Sequence, residues 1–322
     1  MGPKTYRLIA VLILTYLAIS AAHWTTTRSW AEDDPSPDRI RIGTFNIRMF
    51  PCNNRCECIK NYGFSRCRRP ETVPTVLRNL ACEIKKIHPD LIAVNEILSP
   101  NKLRKFAQDK LGAQWKFVYT SAGGPQKVGF LYDSSVLELQ GRKVFKELYT
   151  ELRPEELSEA CAGGLDNLRP AFACRFRVKG CLFDFVAIVL HLKSGRCAEI
   201  RRAQWSIMEQ IVDQASELDD DIIIIGDFND WQRRNRDFDP FCKLKGFTLL
   251  TDAIPCTFLY KSRGSAIDHI LLSDGSMEHY VEGSAGAGGP CADKCGPSRY
   301  WETFRDSVSD HCPVFAELRT GS

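Results

Sequence analysis

Packed β-sheets flanked by helices are the fold class this sequence predicts, and two observations carry the prediction. Short apolar runs of strand length outnumber the segments with helical periodicity, and the two kinds are mixed along the chain. Of 322 residues, 44% are hydrophobic and 26% charged, the balance of a folded globular protein, which excludes disordered and fibrous classes. Lys and Arg number 43 against 40 Asp and Glu. A polycation that holds nucleic acid by bulk charge is therefore excluded, and any phosphate affinity must be local.

In chain order, Lys4 and Arg7 precede the uncharged stretch Leu8–Ala22, followed by small residues and the polar segment Glu32–Asp38. This is the pattern of a secretory signal. The apolar stretch is shorter than the ~20 residues that cross a bilayer as a helix, and an uncleaved anchor is the alternative. Cleavage fits after Ala22 or after Ala31; the second cut removes Lys4, Arg7 and Arg28 and leaves the basic residues equal in number to the 40 acidic ones. Residues 1–31 are read as signal peptide and short linker start, 32–38 as polar linker and 39–319 as one domain, giving a secreted or periplasmic protein.

Buried strands are expected where apolar residues run nearly unbroken, at Ile40–Ile47, Leu91–Ile97, Leu182–Leu192, Ile222–Gly226, Ile267–Leu272 and Pro313–Leu318. A helix is expected over Thr72–Ile87, from Val73, Val76, Leu77, Leu80, Ile84 and Ile87 at helical spacing, and another after the Ser99-Pro100 start signal. A third, about Ala198–Leu218, puts Trp205, Met208, Ile211, Val212 and Ala215 on one face. These stripes are core packing. All 14 cysteines lie beyond the leader, an even number suited to as many as seven disulfides. Local staples of segments 51–69 and 284–300 are expected, with Cys242 and Cys256 a further candidate pair; zinc at Cys52/Cys56/Cys58/Cys67 or at Cys291/Cys295 is the alternative.

Function shows where polar residues interrupt the apolar runs. Gly43-Thr-Phe-Asn46, Ala93-Val-Asn-Glu96, Ala187-Ile-Val-Leu-His191 and Ile222-Ile-Ile-Ile-Gly-Asp227-Phe-Asn229 each end a strand in a polar or ionisable side chain. A rigid strand delivers such a group to one rim of its sheet. Two segments, Ile267-Asp268-His269 and Ser309-Asp310-His311, reverse the order, and antiparallel pairing would bring them to the same rim. Carboxylates and amides are hard oxygen ligands suited to Mg2+ or Ca2+. Histidines beside carboxylates are placed for proton transfer. Phosphoester hydrolysis fits both, because its transition state gathers charge on oxygens.

At these residues the sequence resembles the endonuclease/exonuclease/phosphatase superfamily, metal-dependent phosphoesterases that include deoxyribonuclease-I-like enzymes. The motifs are Gly43-Thr-Phe-Asn46-Ile-Arg48, Asn95-Glu96, His191-Leu-Lys-Ser-Gly195, Arg202-Ala-Gln204, Gly226-Asp-Phe-Asn-Asp230, Ile267-Asp-His269 and Ser309-Asp-His-Cys-Pro313, spanning Arg39 to Leu318. The resemblance implies a four-layer α/β sandwich, two mixed, mainly antiparallel sheets packed face to face with helices outside. It makes 39–319 the catalytic domain, Glu96 the main metal ligand with Asn46 and Asp310 close to the ion, and Mg2+ the expected cofactor, with Ca2+ or Mn2+ as alternatives. Asp227 and Asn229 would orient the water or phosphate, His311 would be the general base aligned by Asp268, and His191 would be the acid that contacts phosphate. Lys193 and Arg48 are the candidate substrate-binding residues. Asn95 stands where Gln commonly precedes the ligand Glu, and Gln126 stands where a carboxylate is expected behind His191.

The basic clusters Arg66/Arg68/Arg69, Arg196/Arg201/Arg202 and Arg233/Arg234/Arg236, the last beside Trp231, suit a polynucleotide track. The expected activity is thus a secreted nuclease of low sequence specificity, acting on DNA or RNA as a monomer. A phospholipid head-group phosphodiesterase, sphingomyelinase-like, is the alternative enzyme, and it would need exposed apolar loops. A binding protein of the same fold without catalysis is disfavoured by the completeness of the residue set.

Overall fold

Apolar residues alternate in pairs of rows along the central strands, one row for each face of a sheet. The computed structural model describes residues 37–51, 73–162, 164–165, 167–195, 197–230, 244–260, 263–292, 295–296 and 298–321. The strands are β1 (Arg39–Phe50), β2 (Leu91–Ile97), β3 (Trp115–Tyr119), β4 (Lys127–Asp133), β5 (Leu137–Phe145), β6 (Ala171–Val178) and β7 (Asp184–His191). They continue as β8 (Ile222–Asp227), β9 (Phe247–Leu249), β10 (Phe258–Tyr260), β11 (Arg263–Ser265), β12 (Asp268–Ser273), β13 (Gly286–Ala287) and β14 (Val314–Arg319). One six-stranded sheet has the order β13-β14-β1-β2-β4-β3 and the other β5-β6-β7-β8-β12-β9, while β10 and β11 form a separate hairpin. Only β1/β2 and β7/β8 pair in parallel among the described strands; the other pairs are antiparallel, as expected.

The sheets pack through one shared core. On β1, Ile40 and Ile42 face inward and join Phe130, Phe172, Phe176, Ile223, Ile225 and Ile270. Phe45 and Ile47, of opposite parity, face outward and are covered by Leu80 and Ile84 of α1 (Val73–Ile87) and by Leu103 and Phe106 of α2 (Pro100–Phe106). On the second sheet, Ile222 and Ile224 face outward under Trp205, Met208 and Ile211. The layers therefore run helix, sheet, sheet, helix, the four-layer sandwich that the resemblance implies.

Several elements differ from the sequence expectation. The run Leu182–Leu192 begins its strand only at Asp184, because Leu182 stands 96% exposed at a hairpin tip. Residues 198–218 form two helices, Ala198–Ser206 and Met208–Ser216, tightened at Ile207 by its N–H reaching Gln204 O. Strands β3, β5, β6, β9, β10, β11 and β13, and the helix Arg299–Ser307, are absent from the sequence expectation. Cys256 pairs with Cys295 rather than Cys242, and the remaining described bridges are Cys161–Cys197 and Cys291–Cys312. Disulfides at Cys291 and Cys295 overturn zinc there. Among the described residues Cys82, Cys174 and Cys181 are free thiols, and burial pushes the Cys174 thiol up. The leader, the cysteines of 52–67, Cys242 and the arginines near 66–69 and 233–236 lie outside the described residues. Among the described residues, no helix is long and apolar enough to cross a membrane.

Candidate active site

The inward-facing parity that builds the core also aims the polar strand ends. Asn46 continues the row of Ile40 and Ile42, His191 that of Ala187 and Val189, and Asp227 that of Ile223 and Ile225, while Asp268 shares parity with Ile270. All four therefore emerge between the two sheets at one end. Parallel pairing sets His191 beside Asp227, and antiparallel pairing sets Asp268 on the other side of Asp227. Gly226 makes the first approach possible. Its φ of +145° is a glycine conformation, and a Cβ there would lie 2.1 Å from Leu190 O.

Asp227 is the hub. Oδ2 accepts from Asn46 Nδ2 at 2.9 Å and Oδ1 accepts from Asn229 N at 2.9 Å. His191 Nε2 stands 3.5 Å and His311 Nε2 3.8 Å from Asp227 Oδ2. Thus an amide from the first sheet directly touches a carboxylate of the second. Asn229 Nδ2 also donates to Leu192 O at 3.1 Å. Behind His311, Nδ1 meets Asp268 Oδ2 at 2.9 Å and Oδ1 at 3.1 Å. Thr257 Oγ1 donates to Asp268 Oδ2 at 2.6 Å and accepts the N–H groups of Ile267 and Asp268.

Glu96 follows Asn95, the parallel partner of Asn46, at the same end, with Oε2 accepting from Met49 N at 2.9 Å. Its carboxyl is raised above its ordinary value by burial and by Asp310. Arg48 is only partly exposed, with Nε 3.5 Å from Asp310 Oδ2 and Nη1 donating to Arg305 O at 2.6 Å. Arg48, Met49, Glu96 and Asn229 all have positive φ, between 45° and 61°. Such left-handed residues are costly unless the surroundings over-determine them, and they gather here at the rim.

Burial dominates the electrostatics. Asp227 is pushed up to about 7 by burial, with Asp268 adding to the shift and His311, Asn46 and Asn229 opposing it. Burial also opposes charge on His311, but Asp268, Asp227 and Asp310 outweigh it and raise the imidazolium to about 10. His191 is held well below 6.5 by burial, Arg169 and His311, so it is neutral.

The donor set fits a divalent cation. Glu96 keeps one oxygen clear of the Met49 bond and repels Asp310, which Arg48 contacts at 3.5 Å, so two carboxylates meet among hard oxygen donors where added positive charge would be favourable. Asp227, Asp268 and His311 also converge, with ligand atoms within 4.8 Å of one another. In that trio, however, Asp268 is taken up by His311 and Thr257, which suits proton handling better than ligation.

All eight clustered residues expected from the sequence thus belong to this end of the sandwich. Three further findings correct or extend that expectation. No hydrogen bond joins Gln126 to His191, whose buried Nδ1 has no hydrogen-bond partner among the described residues. Arg201 is buried, donating to Lys193 O and Gly195 O, so it shapes the Lys193 loop instead of lining a track. Lys193 N in turn donates to Gln204 Oε1 at 2.9 Å. Arg169 and Thr257 were missed. Arg169 is buried, donates to Asn167 O and Leu192 O, and sits near enough to Glu96 and Asp227 to feel both, though burial lowers it to about 10. Its signal was an Arg-Pro pair opening the unread strand β6.

The Endonuclease/Exonuclease/phosphatase family matches residues 43–311, and the chain belongs to that family of phosphoesterases. It is 26% identical over 252 residues to a protein named deoxyribonuclease from Thioalkalivibrio sp., an alignment covering 70% of this chain and 62% of that protein. The chain thus spans less than two thirds of that curated relative's length. Among solved structures it resembles a family protein from Bacteroides thetaiotaomicron, with TM-score 0.58 and 17% identity over 90% of this chain and 100% of that one. It also resembles D. rerio TDP2 complexed with single strand DNA product, at TM-score 0.59 and 13% identity over 88% of this chain and 100% of that one. A Bacteroides thetaiotaomicron mannosyl-6-phosphatase aligns at TM-score 0.57 and 16% identity, over 87% of this chain and 99% of that one. At these identities the structures bear on the fold alone.

Proposed function

We propose that this protein is an exported, divalent-cation-dependent phosphodiesterase that cuts DNA or RNA with little sequence preference. The observation that carries the reading is the buried His311–Asp268 pair set against Asp227, with Glu96 and Asp310 across the rim. Glu96, Asp310 and Asn46 would hold Mg2+, with Ca2+ or Mn2+ as alternatives. Bound there, the ion would stabilise charge on the phosphate oxygens and bring the proton affinities of the site toward neutrality.

Asp227 and Asn229 orient the attacking water and the scissile phosphate. His311 presents Nε2 to that water and takes its proton, while Asp268, fixed by Thr257, holds the ring by Nδ1. His191, being neutral, acts as a hydrogen-bond donor to a phosphate oxygen rather than as a cationic acid. Arg169 offsets the buried carboxylates from beneath. Lys193 and Arg48 flank the substrate, Arg48 from its tether on Asp310.

The deoxyribonuclease relative supports a nucleic acid as substrate. The lipid reading gains no such support, since the exposed large apolar residues among those described are Leu182, Leu218 and Tyr300, on separate elements. Residues 1–31 as export signal, 32–38 as linker and 39–319 as a monomeric catalytic domain complete the proposal, and amino-terminal sequencing of the exported protein checks the cut. Plasmid DNA, RNA and phospholipid vesicles incubated with the protein and Mg2+ test the rest. Chelator-sensitive nicking lost in His311→Ala is expected; head-group release without nicking, or inertness on all three, overturns the reading.

A further inference from the structure

Two disulfides converge on the base pair of the site. Cys256 immediately precedes Thr257, whose hydroxyl holds Asp268, and Cys312 immediately follows His311. Their partners, Cys295 and Cys291, lie in the same short segment. Cys312 N also donates to Thr257 O at 2.6 Å, and the ring of Phe258 packs on that of His311 with centroids 4.7 Å apart. Trp301 fills the space around Cys256, Leu259, Cys291 and Cys312. Gly264 lies against the first bridge, where a Cβ would fall 2.0 Å from Cys295 Sγ. The strand that fixes Asp268 and the segment that carries His311 are therefore fastened covalently to one anchor. Among the described residues they also meet directly through a short backbone bond, a longer one of 3.4 Å from Leu259 N to Asp310 O, and the ring contact.

Building on the proposed hydrolytic role of His311, we propose that Cys256 and Cys312 are positioning residues. Their disulfides hold Asp268 and His311 in register, so the rate of hydrolysis follows the state of these bridges. The bridges differ in access, because Cys295 is exposed whereas Cys256, Cys291 and Cys312 are buried. Thiols therefore reach the Cys256–Cys295 bond first. Reduction by dithiothreitol delivers two electrons and two protons to the bridge, giving two thiols, while the reagent closes to its cyclic disulfide.

The test uses the exported protein and its Cys256→Ala/Cys295→Ala and Cys291→Ala/Cys312→Ala variants, assayed well below each melting temperature. On plasmid DNA with Mg2+, kcat is expected to fall about tenfold or more with KM within about twofold, the signature of lost transition-state alignment rather than lost binding. The Cys161→Ala/Cys197→Ala variant, which opens the bridge beside the Lys193 loop, should lose stability yet keep kcat within about twofold. A downfield NMR resonance from the His311 Nδ1 proton on Asp268, identified by its loss in His311→Ala, should vanish in both site-bridge variants. That signal is read without any substrate, so inertness of the intact protein would defeat the hydrolase reading while leaving the positioning claim to the spectrum. Should the variants not fold, stepwise dithiothreitol treatment of the native protein, trapped with iodoacetamide and mapped by mass spectrometry, replaces them. Activity and resonance must then decline with opening of Cys256–Cys295. Full activity and an intact resonance with that bond open would overturn the proposal.

Discussion

Replacing His269 by Asn should flatten the dependence of stability on pH in mildly acidic solution. His269 is fully buried on β12, beside the base pair yet apart from its hydrogen bonds, with Nδ1 2.9 Å from Thr251 Oγ1. Burial lowers its pKa from 6.5 to about 3, opposed by a hydrogen bond to the Ala266 backbone. Between those values the unfolded chain binds a proton that the folded chain refuses. Stability from this group is thus complete above pH 6.5 and is lost as pH falls toward 3, at a limiting slope of about 1.4 kcal/mol per pH unit. Integrated from pH 7 to pH 5, the loss is about 2 kcal/mol, a sizeable share of a typical stability of about 5–15 kcal/mol. Urea unfolding of wild type and His269→Asn at several pH values measures it. The difference between the two curves cancels the other titrating groups and should close by about 2 kcal/mol over that window. Parallel curves would mean that His269 is solvated or charged in the fold, and the burial argument would fail.

Thr257→Val keeps the shape but orphans two backbone N–H groups and leaves Asp268 Oδ2 with His311 alone; a stability loss of about 2–4 kcal/mol by denaturant titration, with reduced kcat, is expected. Glu96→Gln should weaken Mg2+ or Mn2+ binding about 100-fold by calorimetric titration, since even groups behind a ligand set affinity by about 10–100-fold; unchanged affinity would place the ion elsewhere. Leu182→Ser, at a solvated hairpin tip, should shift stability by less than about 0.5 kcal/mol and leave nicking intact. If instead it abolished release of lipid head groups, the nucleic acid reading would lose to the lipid one.

The central strands were legible because burial on both faces forces unbroken apolar runs, so Ile222–Asp227 and Leu91–Ile97 stand out and their polar ends are conspicuous. Strands nearer the sheet edges were not. In β5, Leu137 and Phe145 are buried while exposed residues lie between them, and β6 interrupts its apolar row with Arg175 and Arg177. That blindness cost the site Arg169, which stands two residues before β6. Thr257 was hidden for another reason: its role depends on a hairpin folding back over β12, which no local pattern announces. The positive φ of Glu96 and Asn229 is likewise imposed by tertiary contacts, since neither residue type requires it.

The parallel pair β1/β2 with antiparallel β14 and β4 at its sides has a counterpart in β8/β7 with β12 and β6. Each half of the sandwich repeats the other's local wiring and supplies part of the proposed site: Asn46, Glu96, Asp310 and His311 come from one, His191, Asp227, Asn229 and Asp268 from the other. The spacing across the chemistry is consequently set far from it, by how deeply Ile42, Phe130, Phe172 and Ile223 interlock along the seam. A methyl group removed there would loosen that seam and so shift the two halves of the proposed site relative to each other without touching any of its eight side chains.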